Sequence, residues 1–137
     1  MKRESKELLL KYLCAILPYG VICEFYDGKR TIVKEMGIGG LHDFMFGNME
    51  AKPYLRPMSS MTEEELKELN EKFRNIAYFF IQEPPYYHGL QAQHPDIGSV
   101  EIGEFSEVYD WLNARHFDYR NLIEKELAID CTELNIY

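Results

Sequence analysis

The chain has 137 residues, 46% of them hydrophobic and 28% charged, which fits a single globular domain over residues 1–137 and excludes a disordered chain. Its net charge of −8 repels phosphate backbones, so direct nucleic-acid binding is not expected. Three cysteines without a C-x-x-C pair, no cleavable signal peptide and only short apolar runs predict a cytoplasmic protein without a membrane segment.

The first third of the chain predicts a helix followed by a β-hairpin. Apolar residues recur at helical spacing from Ser5 to Leu17, and Pro18 ends the pattern. The segments Val21–Tyr26 and Arg30–Lys34 are typical of strands. The pair Asp27-Gly28 between them favours a type I′ turn, in which both residues have positive φ.

The glycine-rich segment Gly37–Gly40 predicts a flexible turn. It is followed by neither Gly-Lys-Ser/Thr nor a clear helix, so a phosphate-binding loop is not indicated. The short apolar run Asp43–Phe46 is interpreted as a third strand. Downstream, Pro53 and Pro57 hold the backbone extended and delay the next helix until after Pro57.

A second helix is predicted from a capping box. Thr62 offers an N-cap hydroxyl, and Glu65 follows three residues later. The helix is extended to residue 80 by an apolar stripe at helical spacing, made up of Leu66, Leu69, Phe73, Ile76 and Phe80. The acidic run at its start therefore has a structural role, and no catalytic role is assigned to it.

The last third predicts a long loop, a short strand and two helices. Three prolines and two glycines indicate a loop over residues 83–98, and Val100 and Ile102 suggest a strand. One helix opens near Ser106 and ends by His116, and Asp118 is expected to cap another. The fold class is α+β: a small, mostly antiparallel sheet packed against about four amphipathic helices.

The Pro-rich loop contains three candidate metal ligands. His88, His94 and Asp96 supply two imidazoles and a carboxylate, which suit a divalent cation. Their spacing matches no standard metal motif, and solvent-exposed loop histidines are the favoured interpretation. No cofactor is expected.

The same loop holds the candidate partner-binding residues Tyr86, Tyr87 and His88. Tyrosines on a proline-stiffened backbone are good anchors for a protein interface, because they bury a large area at little entropic cost. The alternative interpretation is ordinary packing of these rings onto the domain.

Weaker candidates for catalysis are Tyr54, Arg56, His116 and Tyr119, which form a site only if the fold brings them together. His116 has a competing interpretation as a cation at a helix C-terminus. The adjacent pair His42-Asp43 is set aside, because neighbouring side chains on a strand point to opposite faces.

The cysteines are interpreted as structural residues rather than nucleophiles. Cys14 lies in an apolar helical pattern and Cys23 in an apolar strand pattern, so both are expected to be buried. Cys131 lies near the end of the chain and is expected to be exposed. None is flanked by features that would lower the pKa of its thiol.

Two strings of residues carry a resemblance. One is Lys-Pro-Tyr-Leu-Arg-Pro followed by Ser-Ser-Met-Thr-Glu-Glu, within Lys52–Glu64; the other is Asp-Trp-Leu-Asn-Ala followed by His-Phe-Asp-Tyr-Arg and Leu-Ile-Glu-Lys, within Asp110–Lys125. They resemble a family of short uncharacterised proteins encoded in prophages and other mobile elements of gut bacteria. Arg115, Asn121 and Glu126 depart from the family pattern. The resemblance implies a bacterial or phage cytoplasmic setting and supplies no catalytic residues.

These observations favour a non-enzymatic accessory protein that binds a protein partner. The alternative is a small hydrolase or transferase whose polar residues converge only in three dimensions. A further alternative is an acidic DNA mimic that inhibits a host defence enzyme, since a net charge of −8 resembles that of nucleic acid. The acidic residues are interspersed with lysines on helix faces, which makes the mimic the least favoured of the three.

Overall fold

The computed structural model describes residues 3–82, 89–94, 96, 98–100 and 106–137. Within these ranges the chain forms an α+β fold, as predicted. Its helices are α1 (Arg3–Ile16), α2 (Ile38–Met45), α3 (Glu63–Lys72) and α4 (Ser106–Ala114). Its strands are β1 (Ile22–Tyr26), β2 (Thr31–Glu35), β3 (Glu50–Pro57), β4 (Tyr78–Gln82), β5 (Gly89–His94), β6 (Gly98–Val100), β7 (Phe117–Asp118) and β8 (Ile129–Asp130).

The chain divides into two compact units. Unit 1 comprises Met1–Arg56 with Arg120–Tyr137, and unit 2 comprises Pro57–Tyr119. None of the helices in the described ranges is long and apolar enough to cross a membrane.

Unit 1 is built on a mixed sheet. β1 pairs antiparallel with β2 on one side and with β3 on the other, and β8 adds to β3 in parallel. Alternate residues of β1 are buried, including Cys23 and Phe25. Helix α1 was predicted within two residues at its start and buries its apolar stripe, which consists of Leu9, Tyr12, Leu13 and Ile16.

The β1–β2 hairpin is confirmed, but its turn is longer than predicted. Tyr26 pairs with Thr31, so residues 27–30 form the connection. A carboxylate oxygen of Asp27 accepts hydrogen bonds from the backbone N–H groups of Lys29 and Arg30, both at 2.8 Å. Positive φ is confined to Gly28 in this turn. The side-chain hydrogen bonds of Asp27 therefore shape the turn, and the predicted type I′ geometry is wrong.

Two expectations for residues 37–46 are wrong, because this segment is helix α2 rather than a turn and a strand. Phe44 faces inward and is buried. A Cβ atom on Gly40 would lie 3.1 Å from the ring of Phe25 and 3.2 Å from the sulfur of Met36. The glycine therefore permits a close approach of helix to sheet, a contact whose benefit outweighs the poor helix propensity of glycine.

Unit 2 packs α3 and α4 with the antiparallel sheet β4-β5-β6. The core of this unit includes Leu69, Phe79, Leu112 and Phe117, all fully buried. The predicted second helix begins at the expected N-cap but ends at Lys72 instead of residue 80. Its last predicted turn lies in strand β4, where Tyr78 is exposed and the next residue, Phe79, is buried.

Two further expectations are corrected. Residues 89–94, predicted to lie in a loop, form β5. The strand suggested at Val100 is confirmed as the end of β6 (Gly98–Val100), and Ile102 lies outside the described residues. The helix expected after Asp118 is replaced by turns. Asn121 and Glu126 adopt left-handed φ values of 57° and 61°, and the backbone N–H groups of Leu127 and Ala128 both bond to the carbonyl of Leu122. Left-handed residues interrupt the helical ladder at both ends of this segment.

Candidate partner-binding surface

Helix α3 is placed by the predicted capping box. The Thr62 hydroxyl accepts from the N–H of Glu65, and the Glu65 carboxylate accepts from the N–H of Thr62, both at 3.1 Å. Three acidic residues in the first turn complement the positive end of the helix dipole. Further along the helix, Glu68 forms an ion pair with Arg115. The start and orientation of α3 are thus fixed by side chains rather than by packing alone.

Asn70 joins α3 to the outer edge of β4. Its side-chain oxygen accepts from the N–H of Phe79 at 2.6 Å, and its side-chain nitrogen donates to the carbonyl of Phe79 at 2.9 Å. An amide side chain here supplies the donor and acceptor that a neighbouring strand would otherwise supply. The edge of β4 is therefore occupied at Phe79, which protects it from pairing with another chain.

A shallow open groove lies along α3 beside the start of β4. It has a volume of about 440 Å³ and is lined by Glu63, Leu66, Lys67, Asn70, Glu71, Arg74 and Tyr78. Leu66 is half-buried and contributes an apolar floor. The two acidic and two basic side chains of the lining give it no net charge, so the groove suits a ligand of mixed charge.

Tyr78 is the most exposed aromatic residue of the described part of unit 2, with 61% of its surface accessible. Its ring is stacked with that of Phe80, at a centroid distance of 6.4 Å and an interplanar angle of 22°. Across the sheet, Gln93 pairs with Tyr78 and Gln91 pairs with Phe80. Two aromatic rings and two amides therefore share the sheet face opposite Phe79.

The predicted partner-binding residues Tyr86, Tyr87 and His88 lie outside the described residues. His88 is also one of the three candidate metal ligands. His94 and Asp96 are close, and the Nδ1 atom of His94 accepts a hydrogen bond from the Asp96 backbone at 3.1 Å. Across the described ranges, no group of three or more His, Cys, Asp or Glu side chains is placed to hold a metal ion.

Tyr54 and Arg56, two of the weak catalytic candidates, belong to β3 of unit 1. The hydroxyl of Tyr54 donates to the carboxylate of Glu24 at 3.3 Å. Burial, followed by the nearby negative charge of Glu24, raises the pKa of the Tyr54 phenol. Both causes stabilise the neutral phenol, so Tyr54 is suited to donating a structural hydrogen bond and unsuited to acting as a base.

His116 and Tyr119, the other two catalytic candidates, belong to unit 2. His116 follows α4 with a φ of 63°, and its N–H bonds to the carbonyl of Asn113 at 3.0 Å. This left-handed geometry is common where a helix ends. The Tyr119 ring stacks on Tyr109 at 4.5 Å. Both residues thus have structural roles within unit 2.

The expected burial of the cysteines is correct for one of three. Cys23 is buried, and desolvation raises the pKa of its thiol to about 12. Cys14 is exposed and Cys131 is buried, the reverse of the predictions. Burial also raises the pKa of the Cys131 thiol. The raised pKa values keep both buried thiols protonated at ordinary pH.

His42 and Asp43 lie on helix α2 and not on a strand. The expectation that their side chains point to opposite faces of a strand is therefore wrong. Their side chains are 4.0 Å apart (Nδ1 to Oδ1) and both reach the solvent. The His42 ring also contacts Phe46, at a centroid distance of 4.5 Å. Because both side chains are exposed, the pair offers no enclosed position for a substrate.

Sequence reasoning missed Tyr78 and Asn70, the two residues that define the groove. Both fell inside the segment predicted as one long helix, where Tyr78 carried no signal that distinguished it from its apolar neighbours. Searches against protein-family models, curated protein sequences and solved structures found no match. The proposal for the function therefore rests on the structure of this chain.

Proposed function

We propose that the protein is a non-enzymatic interaction module that binds a protein partner through the α3–β4 groove. The observation that carries this proposal is Tyr78, a 61% exposed aromatic residue at the rim of a groove of about 440 Å³. Exposed tyrosines beside a concave surface are frequent energetic centres of protein interfaces. The setting proposed with it, on the resemblance described above, is the bacterial cytoplasm.

The chemistry of the groove favours a polypeptide over other ligands. Its floor is the half-buried Leu66, and its walls place Glu63 and Glu71 among Lys67 and Arg74. A mixed-charge wall complements side chains of both signs. A polyanion would meet two carboxylates in the groove and a net charge of −8 on the whole chain. The partner expected here inserts an apolar side chain and surrounds it with polar ones.

Site-specific cross-linking tests this proposal. A photoreactive phenylalanine analogue replaces Tyr78, the tagged protein is irradiated in lysate of its native host, and the cross-linked peptides are sequenced. The expected result is one protein joined at position 78. Replacement of Tyr26, 43% exposed on β1, is the matched control and should not give that product.

Competition makes the test quantitative. An excess of unmodified wild-type protein should suppress the cross-link, and a Tyr78→Ala competitor should need about 30 times the concentration, since truncating an aromatic centre of binding typically costs about 2 kcal/mol. Equal competition by both proteins, or identical products from positions 78 and 26, contradicts the proposal. In either case the groove does not bind the partner.

A further inference from the structure

Strand β2 in unit 1 differs from the other strands because all five of its residues are exposed. Ile32 is 39% accessible and Val33 is 49% accessible. One side of β2 pairs with β1 over the whole strand. On the other side, no strand among the described residues pairs with it.

The hydrogen-bond alternation of the hairpin identifies the backbone groups at this outer edge. The N–H of Met36 bonds to the carbonyl of Val21 at 2.8 Å, and the N–H of Asp27 bonds to the carbonyl of Arg30 at 3.3 Å. Hydrogen-bonded pairs alternate along an antiparallel ladder, so Ile32 and Lys34 direct their backbone groups to β1. The N–H and C=O groups at positions 31, 33 and 35 consequently point outward.

This edge lacks the protection found at β4. No side chain among the described residues bonds to its outward backbone groups as Asn70 bonds to Phe79. β2 contains no proline, and its first three residues, Thr-Ile-Val, are strong strand formers. Lys34, a charge that could discourage pairing, lies over the Phe25 ring with its nitrogen 5.2 Å from the ring centroid. An open, β-branched edge of this kind is suited to pairing with another strand.

We propose that β2 pairs antiparallel with β2 of a second copy of this chain, about a two-fold axis at Val33. In a symmetric continuous sheet, one residue must face its own counterpart. Centring the pairing on Lys34 or Glu35 sets identical charges opposite each other, and centring it on Ile32 sets Arg30 opposite Lys34. Like charges directly opposite each other destabilise a strand pair.

The two remaining centres differ in how much of the strand they pair. Centring on Thr31 pairs only residues 30–32, because the chain turns back toward β1 at residues 27–30, where the N–H of Asp27 bonds to the carbonyl of Arg30. Centring on Val33 pairs all five residues of β2 and sets Thr31 opposite Glu35, with no like charges directly opposite each other. Val33 also has outward backbone groups, so the two copies exchange both hydrogen bonds at the axis. Pairing of the whole strand without like charges opposite each other therefore selects one register for a second copy.

Charge variants at the axis test the register. Val33→Lys and Val33→Glu each set like charges opposite each other in a homodimer, and each should weaken self-association about tenfold in analytical ultracentrifugation. An equimolar mixture of the two variants should recover the dimer, because opposite charges then face each other. Tyr26→Lys is the matched control, since Tyr26 is exposed on β1 and has no place at the outer edge.

Amide exchange in the wild-type protein gives a test that needs no substitution. The N–H groups of Ile32 and Lys34 should be protected at every protein concentration, and those of Thr31, Val33 and Glu35 only where the protein is dimeric. A wild-type protein that stays monomeric up to millimolar concentration overturns the proposal. So does a dimer in which Val33→Lys associates normally, with circular dichroism confirming that the variant is folded, or a mixture that fails to recover association.

Discussion

The contact between Asn70 and Phe79 gives the sharpest stability prediction. Replacing Asn70 with Ala removes two hydrogen bonds, of 2.6 and 2.9 Å, from a partly buried position. Each is worth about 1 kcal/mol, so the free energy of unfolding should fall by about 2 kcal/mol. With an unfolding entropy of about 2 cal/mol/K per residue, Tm should fall by roughly 7 °C.

Urea denaturation and calorimetry of Asn70→Ala measure this effect, with Glu71→Ala, its exposed neighbour on α3, as the control for helix propensity. Asn70→Asp adds a test of direction. It retains the acceptor for the Phe79 N–H but sets a carboxylate beside the Phe79 carbonyl, so it should also destabilise. If Asn70→Ala lies within 0.5 kcal/mol of Glu71→Ala, the hydrogen bonds contribute nothing net and the reasoning fails.

Three other perturbations test separate parts of the structure. Glu126→Gly relieves a left-handed φ of 61° and should raise stability by about 0.5 kcal/mol in urea melts; Asn121→Gly should gain less, because asparagine tolerates that geometry. Tyr137→Phe removes a hydroxyl that accepts from Ile22 and donates to the Tyr54 carbonyl, both at 2.8 Å, and should cost about 2 kcal/mol; full stability in this variant would show that water replaces the hydroxyl. When the native protein is treated with a thiol reagent, mass spectrometry should show one label per chain, on the exposed Cys14. Labelling of Cys23 or Cys131 before the protein unfolds would contradict their burial.

Local signals in the sequence were sufficient where a structure is determined by neighbouring residues. The capping box at Thr62 and Glu65 was predicted residue by residue, because both hydrogen bonds span three positions. The first helix and the hairpin strands followed from periodicity and turn residues. The α+β class followed from these elements, although one of the four helices formed elsewhere than expected.

The missed elements depend on contacts that are distant in sequence. α2 forms on a glycine-rich segment because Gly40 approaches the Phe25 ring, and a propensity scale assigns that segment to a turn. The apolar residues of β4 continue the helical spacing of α3, so the periodicity of the sequence does not show where the helix ends and the strand begins. In the structure β4 is held as a strand by its pairing with β5 and by the Asn70 side chain, which bonds to the Phe79 backbone.

The same limit applies to the candidate site, since exposure is a property of the folded chain. Tyr78 and Phe79 are adjacent aromatic residues, and the sequence gives no reason to prefer either for binding. Strand geometry sends them to opposite faces, where Phe79 is buried and Tyr78 is 61% accessible. The predicted anchors Tyr86 and Tyr87 lie outside the described residues, so the prediction for them stays open to the same cross-linking experiment.

Tyr137 shows how unit 1 tolerates a proline inside a paired strand. Pro53 pairs with Cys23 at a position where the β3 backbone directs its groups away from β1, so its missing N–H costs no bond to β1. One residue further on, the Tyr137 hydroxyl bridges Ile22 and Tyr54, where a direct backbone bond would be expected. Burial raises the pKa of this phenol, which keeps the bridging proton in place at ordinary pH. The β1–β3 ladder is thus extended by a side chain, so losing the hydroxyl should affect this sheet more than the exposure of the Tyr137 ring suggests.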